Sequence, residues 1–271
     1  MRLRGGPHPE RARQDAEMLL RHLLGWDRAY LITHTQEVMS AEGAVRYYAL
    51  IDRRLTGEPI QYITGETEFY GLPFRVTRDV LIPRPETEHM VEKVIDLAVG
   101  WEQPRIVDVG TGSGAIAVAL AAKLPDAVIA ATDISAVVLK LARANAARNE
   151  VESRIRFLEG DLLTPVAKEH FEIVASNPPY VAESDRSALD VEVREFEPAL
   201  ALFAGEDGLS AYRQLIPAAF AVLVPGGWIV LEIGFGQEAA IRGLLAEARF
   251  AEIGFTDDLQ GIKRVAHAKR A

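Results

Sequence analysis

The 271-residue chain contains no cysteine. That excludes disulfides and any thiolate metal site. Its six histidines are scattered, without the close spacing a zinc or iron motif needs, so no resident metal is expected. Long apolar runs are missing too. Nothing approaches the roughly 18 apolar residues of a membrane span. The opening MRLRGGPHPERAR is basic but lacks the apolar core of a secretory signal. The expected location is the cytoplasm, with no membrane partner. Positive charge is also scarce: 30 Lys and Arg stand against 39 Asp and Glu, a formal net charge of −9. A protein that grips nucleic acid usually carries a basic field that neutralises phosphates, so no direct nucleic-acid substrate is expected. Internal repeats and low-complexity tracts are absent as well.

What remains is an ordinary globular composition, 49% hydrophobic and 25% charged, at a length that suggests about two domains. Residues 10–55 read as helices. AEMLLRHLLGW places Leu19, Leu20, Leu23 and Leu24 on one face, with Gly25 as a stop. AEGAVRYYALIDRRL gives a second apolar stripe of Val45, Tyr48, Ala49 and Leu55. Residues 57–82 mix β-branched and aromatic residues with Gly and Pro, which predicts short strands joined by turns. A helix follows, with Pro85 in its first turn and an apolar period through Met90, Val94 and Leu97. From residue 105 onward RIVDV, AVIAATD, RIRFLEGD, FEIVASN and GGWIVLEIG read as strands with helical segments between most of them. This βαβ rhythm predicts an α/β fold with a largely parallel sheet covered on both faces.

The stretch VDVGTGSGAIAVALA runs strand, glycine loop, helix. Glycines 110, 112 and 114 let the backbone turn sharply and approach a ligand, and the amides opening the next helix face that ligand. The string Gly110 to Ala115 also fits a dinucleotide fingerprint. Asp108, two residues before Gly110, repels a pyrophosphate but suits a cationic ligand such as the sulfonium of S-adenosylmethionine. Asp133, about 20 residues beyond the loop at the end of the next strand, suits ribose hydroxyls of either cofactor. Asp161 in LEGDLL can hydrogen-bond an adenine amine, with Leu162 against the ring, or it can simply cap a turn.

ASNPPYVAE, residues 175–183, places a rigid polar elbow at the carboxyl end of a strand, where open parallel sheets hold their ligands. Asn177 precedes proline and is pushed into extended backbone. Pro178 and Pro179 lack an N–H, so they cannot continue a ladder or a helix. Tyr180 can lay its ring beside a flat group. An amide oxygen and a proline carbonyl in fixed positions match the two N–H donors of a planar –NH₂ group. Such orientation can supply roughly 7–11 kcal/mol of a barrier. Adenine N6, cytosine N4, guanine N2 and a glutamine amide all present such a nitrogen. Glycine loop and elbow together resemble class I S-adenosylmethionine-dependent amino-methyltransferases.

Longer strings narrow this further. DAEMLLRHLLGWDR, GEPIQYITGETEFYGLPFRV, VLIPRPETE, FEPALALFAGEDGL and DLQGIKRVA all resemble the HemK/PrmC family, over nearly the whole chain from about residue 15. That resemblance implies methylation of the side-chain nitrogen (N5) of the glutamine in the Gly-Gly-Gln motif of class-1 peptide-chain release factors, with S-adenosylmethionine as cofactor. It implies a Rossmann-like catalytic domain over residues 83–271, preceded by a small helical domain over 1–56 and a β-hairpin linker over 57–82. Carried over by position, Gly110, Thr111, Gly112, Ser113, Gly114 and Asp133 would contact the cofactor, with Asp161 and Leu162 nearer the adenine. Asn177 and Pro178 would be catalytic, and Asn177, Pro178, Pro179 and Tyr180 would hold the glutamine, Asn177 also bordering the cofactor. Arg84 and Thr87 can border the cofactor pocket or cap a helix, and FAGEDGL can flank the site or form a solvated turn. The alternatives are an adenine-N6 DNA or RNA methyltransferase and a non-catalytic binding module on the same fold.

Overall fold

The computed structural model describes residues 2–271. Contacts divide the chain into two units: residues up to Glu66 together with Leu189–Glu197, and Thr67–Ala188 together with Pro198–Ala271.

The first unit is helical: α1 (Ala12–Leu24), α2 (Arg28–Thr33), α3 (Ala41–Leu55) and α4 (Ile60–Thr64), joined by a short helix from the distant segment. Gly25 ends α1 as expected, at φ 67°, with its N–H donating to the Arg21 carbonyl. Caps start the next two helices: Asp27 accepts from the Tyr30 amide and Ser40 from that of Gly43. The core gathers Leu3, Ala12, Leu19, Ile51, Ile60 and Ile63. The stripe expected on α3 is not the buried one. Val45 is 71% exposed and Tyr48 51%, while Ile51 and Arg54 point inward. The helix is rotated because the Arg54 guanidinium is buried against Asp15, at 2.6 Å, and Glu192, also at 2.6 Å. An apolar period cannot register a buried charge.

The hairpin β1 (Glu66–Phe69) and β2 (Leu72–Arg75) turns at Tyr70 and Gly71, both at positive φ, the geometry of a two-residue primed turn. Strands were expected throughout 57–82. Instead Ile60–Thr64 is a helix whose Ile60, Tyr62 and Ile63 are buried, a case of packing overriding β-propensity. No strand follows Arg75 until β3.

The larger unit continues with α5 (Glu88–Ala98), β3 (Arg105–Val109), α6 (Ala115–Lys123), β4 (Val128–Asp133), α7 (Ala136–Arg148), β5 (Ile155–Glu159) and β6 (Phe171–Ser176). After α8 (Val191–Phe196), which belongs to the first unit, come α9 (Ala199–Leu202), α10 (Ser210–Val222), β7 (Leu223–Glu232), α11 (Glu238–Glu247), β8 (Phe250–Asp257) and β9 (Lys263–Arg270). Seven strands form one sheet in the order β5-β4-β3-β6-β7-β9-β8. The first five are parallel; β9 runs antiparallel to both β7 and β8. That closing pair was not among the expected strands. Its sequence, interrupted by charged residues, lacks the apolar run of a doubly covered strand. The buried residues of α5, α6 and α7 form one core layer with Phe69 and Phe74 of the hairpin. Those of α10 and α11 form the other. The sheet is thus covered on both faces, an open doubly wound α/β fold. No helix among the described residues is long and apolar enough to cross a membrane.

Candidate active site

Strand order reverses at β3, whose neighbours are β4 on one side and β6 on the other. Ligands of open α/β sheets bind at such a switch point, beyond the carboxyl ends of the strands. The register sets which residues meet there. Val109 pairs with both Thr132 and Ser176, and Asp133 pairs with Glu159. Gly110, Asp133, Gly160 and Asn177 therefore leave four adjacent strands at one level. Ser176 Oγ donates to the Val109 carbonyl at 2.7 Å and ties the two central exits together.

A cavity of about 430 Å³ opens at this edge, within the usual size range of small-molecule sites. Gly110, Thr111, Gly112, Ser113, Asp133, Asp161, Leu162, Asn177 and Pro179 all line it. Gly114, Pro178 and Tyr180 do not. Gly110 and Gly112 sit at φ 70° and 56° with nothing within 4 Å of where a Cβ would stand. They leave space beside the loop as well as the left-handed backbone it needs. Gly114 serves packing: a Cβ there would lie 3.1 Å from that of Ala142 on α7. Asp133 holds the loop in shape, accepting from the amides of Gly112 and Ser135, both at 3.0 Å. Arg78, Val80 and Leu81, just beyond the hairpin, complete part of the wall. They carried no sequence signal of a site. Thr87 also faces the cavity, whereas Arg84 is not among the lining residues.

Asp108 does not face the cavity. It is fully buried behind the loop, accepting from Thr111 Oγ1 at 2.6 Å and from the Ala117 amide at 3.2 Å. Its Oδ1 has no partner among the described residues. Burial raises its pKa to about 7, against the two hydrogen bonds, which lower it. The expected pairing with a cation is thus replaced by a brace between loop and helix. Asp161 is exposed at the rim, and its carbonyl accepts from the Thr164 amide in a turn. FAGEDGL flanks the elbow, with Phe203 bridged to Val181 and the Gly208 carbonyl accepting from Gln237 Nε2 at 3.3 Å, while at its exposed tip Asp207 accepts from the Leu209 amide and pairs with Arg213 at 2.5 Å.

The elbow is fastened from behind. Asn177 Nδ2 donates to Thr87 Oγ1 at 3.2 Å, and Thr87 Oγ1 donates to Glu232 Oε2 at 2.5 Å. Tyr180 is turned inward, its hydroxyl donating to Glu232 Oε1 at 3.3 Å. Its carbonyl accepts from Gln237 Nε2 at 3.0 Å. No backbone amide among the described residues donates to the carbonyls of Pro178 or Pro179. Glu232, the last residue of β7, is buried, and burial pushes its pKa up while Thr87, Tyr180 and Arg264 pull it down. Burial likewise pushes the Tyr180 phenol up. Sequence reasoning missed Glu232. The available signal was a glutamate inside the apolar run WIVLEIG, since buried carboxylates are rare without partners.

The fit of the site to a nucleoside sulfonium rests on its parts. The glycine backbone lies open, Asp133 stands at the next strand end, and no basic side chain occupies the loop. These features on this sheet suit a nucleoside cofactor at the switch point of an open α/β fold, and the comparisons make the class a methyltransferase. A family model described as the methyltransferase small domain matches residues 87–201, and one described as the PrmC N-terminal domain matches residues 5–65. The release factor glutamine methyltransferase of Koribacter versatilis is 42% identical over 95% of this chain and 91% of its own length. That of Burkholderia pseudomallei is 45% identical over 93% and 90%. The chain belongs to this family of release factor glutamine methyltransferases. Among solved structures, the hMettl16 catalytic domain in complex with MAT2A 3'UTR hairpin 6 shares the fold at 19% identity, with a TM-score of 0.61 over 90% of this chain and 92% of that one.

Proposed function

We propose that the chain transfers a methyl group from S-adenosylmethionine to the side-chain amide nitrogen (N5) of the glutamine in the Gly-Gly-Gln motif of class-1 release factors. One observation carries the reading: Asn177 lines the same cavity as the glycine loop and Asp133, with its Nδ2 already committed to Thr87. Oδ1 is then the end of the amide left for a ligand. When bound, S-adenosylmethionine would supply an electrophilic methyl and leave as a neutral thioether, so the amide must be positioned and must lose one N–H proton, which turns acidic as the N–C bond forms and passes to water.

The residues of the chain do the positioning. Asn177 Oδ1 and the Pro178 carbonyl accept the two N–H groups of the glutamine amide and set its nitrogen lone pair toward the cavity. These hydrogen bonds strengthen as positive charge builds on nitrogen, so they favour the transition state over the ground state. Pro179 borders the amide. Tyr180, turned inward, supports the elbow through Glu232 and Gln237. Backbone groups from Gly110 to Ser113 receive the cofactor, Gly114 letting the next helix close against α7. The Asp133 carboxylate accepts from the ribose hydroxyls, and Asp161 and Leu162 border the adenine. A helical unit reaching Glu66, joined by Leu189–Glu197, accompanies this catalytic domain, and the reaction belongs to the cytoplasm. An uncharged amide in a protein loop requires no phosphate-binding face, which suits the acidic chain.

Labelled S-adenosylmethionine tests the reading with three acceptors: a release factor, its Gly-Gly-Ala variant and duplex DNA. Label on the intact factor alone is expected; label on DNA overturns it. Asn177→Ala should lower kcat by about 10²- to 10³-fold while cofactor affinity, measured by calorimetry, stays near the parent value.

A further inference from the structure

The proposed reaction requires one end of the Asn177 amide to face the substrate, yet nothing in the side chain itself selects that end. An asparagine amide has nearly equal shape in both orientations, and a flip would present N–H donors to a donor. The selection comes from behind the elbow. Glu232 has 2% of its surface exposed and Thr87 4%, so neither can trade its partner for bulk water. Both Glu232 oxygens face hydroxyl groups, Thr87 on one and Tyr180 on the other, an arrangement that calls for the carboxylate, which only accepts. With Glu232 accepting from Thr87 at 2.5 Å, the hydroxyl proton of Thr87 is spent, and its oxygen must accept from Asn177 Nδ2 at 3.2 Å. The second carboxylate oxygen takes the Tyr180 hydroxyl at 3.3 Å, so one buried group braces both ends of the elbow. The Glu232 backbone is held in turn, its carbonyl accepting from the Tyr212 hydroxyl at 2.7 Å.

We infer that Glu232 is a positioning residue for methyl transfer: acting through Thr87, it fixes the direction of the hydrogen-bond chain and so keeps Asn177 Oδ1, rather than Nδ2, turned to the substrate. This rests on the function proposed above but concerns a residue that never touches the substrate. An isosteric glutamine at 232 can offer Thr87 an N–H instead of an acceptor. The Thr87 proton is then free to point at Asn177, and the amide can invert.

Two measurements separate this inference from the functional reading. The first is kinetic. Glu232→Gln and Thr87→Val should each lower kcat by about 10- to 100-fold with KM for S-adenosylmethionine little changed. The double variant should be no slower than the slower single one, and Thr87→Ser, which keeps the hydroxyl, should stay near the parent. Kinetics at parent level in Glu232→Gln, or penalties that multiply in the double variant, overturn the inference. The second requires no turnover. In the parent, hydrogen exchange at Asn177 Nδ2, followed by NMR, should be slowed about tenfold relative to Thr87→Val and Glu232→Gln. Equal exchange in all three overturns the inference whatever the acceptor proves to be. Loss of methylation in the parent with this protection intact overturns the functional reading alone.

Discussion

At the scale of single residues, burial decides what each acid of the site can do. Asp133 ends β4 and Asp108 stands one residue before the end of the neighbouring β3, yet they live in different media. Asp133 reaches the cavity and is available to a ligand, while Asp108 is sealed behind the loop. Its folded-state pKa of about 7 stands above the ordinary 3.8 because burial disfavours the charge. Between those values the folded chain holds a proton that the unfolded chain has released, so folding stability falls as pH rises through the window and the deficit persists above it. Asp108→Asn cannot ionise and keeps an oxygen for Thr111 and Ala117. Between pH 5 and pH 8 the parent should therefore lose about 2–3 kcal/mol relative to this variant in urea unfolding. Glu232 shows the same environment turned to another use, since two hydroxyl donors and Arg264 oppose the effect of burial.

At the scale of elements, the glycine loop shows that neighbouring glycines answer to different demands. Gly110→Ala meets open space and only the strain of positive φ, so it should lose about 1 kcal/mol of stability while its methyl group intrudes on the cofactor. Gly114→Ala meets the same strain and also the backbone of Ala142 at 3.2 Å, and should lose about 2–4 kcal/mol with less effect on cofactor affinity per folded molecule. Urea titration and calorimetry on both variants check the contrast. The loop, the five parallel strands and the elbow were legible in the sequence because glycine, proline and doubly covered apolar strands each leave a local mark. The rest depended on pairing that sequence spacing does not encode. Strands β8 and β9 carry charged ends and only short buried stretches. Helix α4 looks like a strand until its buried face is known. Thr87 and Glu232 lie 145 positions apart and meet only after the sheet has formed.

At the scale of the whole molecule, the larger unit is fastened by polar side chains as well as by its two core layers. Asn145 on α7 accepts from the Arg75 amide and donates to the carbonyls of Arg75 and Ser113, joining hairpin, helix and glycine loop. The helical unit relies on a buried charge cluster in the same way. Arg54 is 3% exposed between Asp15 and Glu192. Arg54→Ala leaves two carboxylates without their cation and should destabilise this unit by about 3–5 kcal/mol. The Leu189–Glu197 segment should then open to trypsin at Arg194, as read by limited proteolysis with mass spectrometry. Arg54 drew no notice in the sequence, because an arginine among helical charges looks solvated until its partners are placed.

The recruitment of that late segment into the early helical unit has a consequence for synthesis. The helices of this unit leave a ribosome without an acidic partner that is translated well over a hundred residues after Arg54. In the interval the nascent chain carries Arg54 with Asp15 alone, while four parallel strands of the other unit have already emerged. The helical unit is thus made before the sheet yet finished late, and a fragment cut after the hairpin would keep the unfinished state for good.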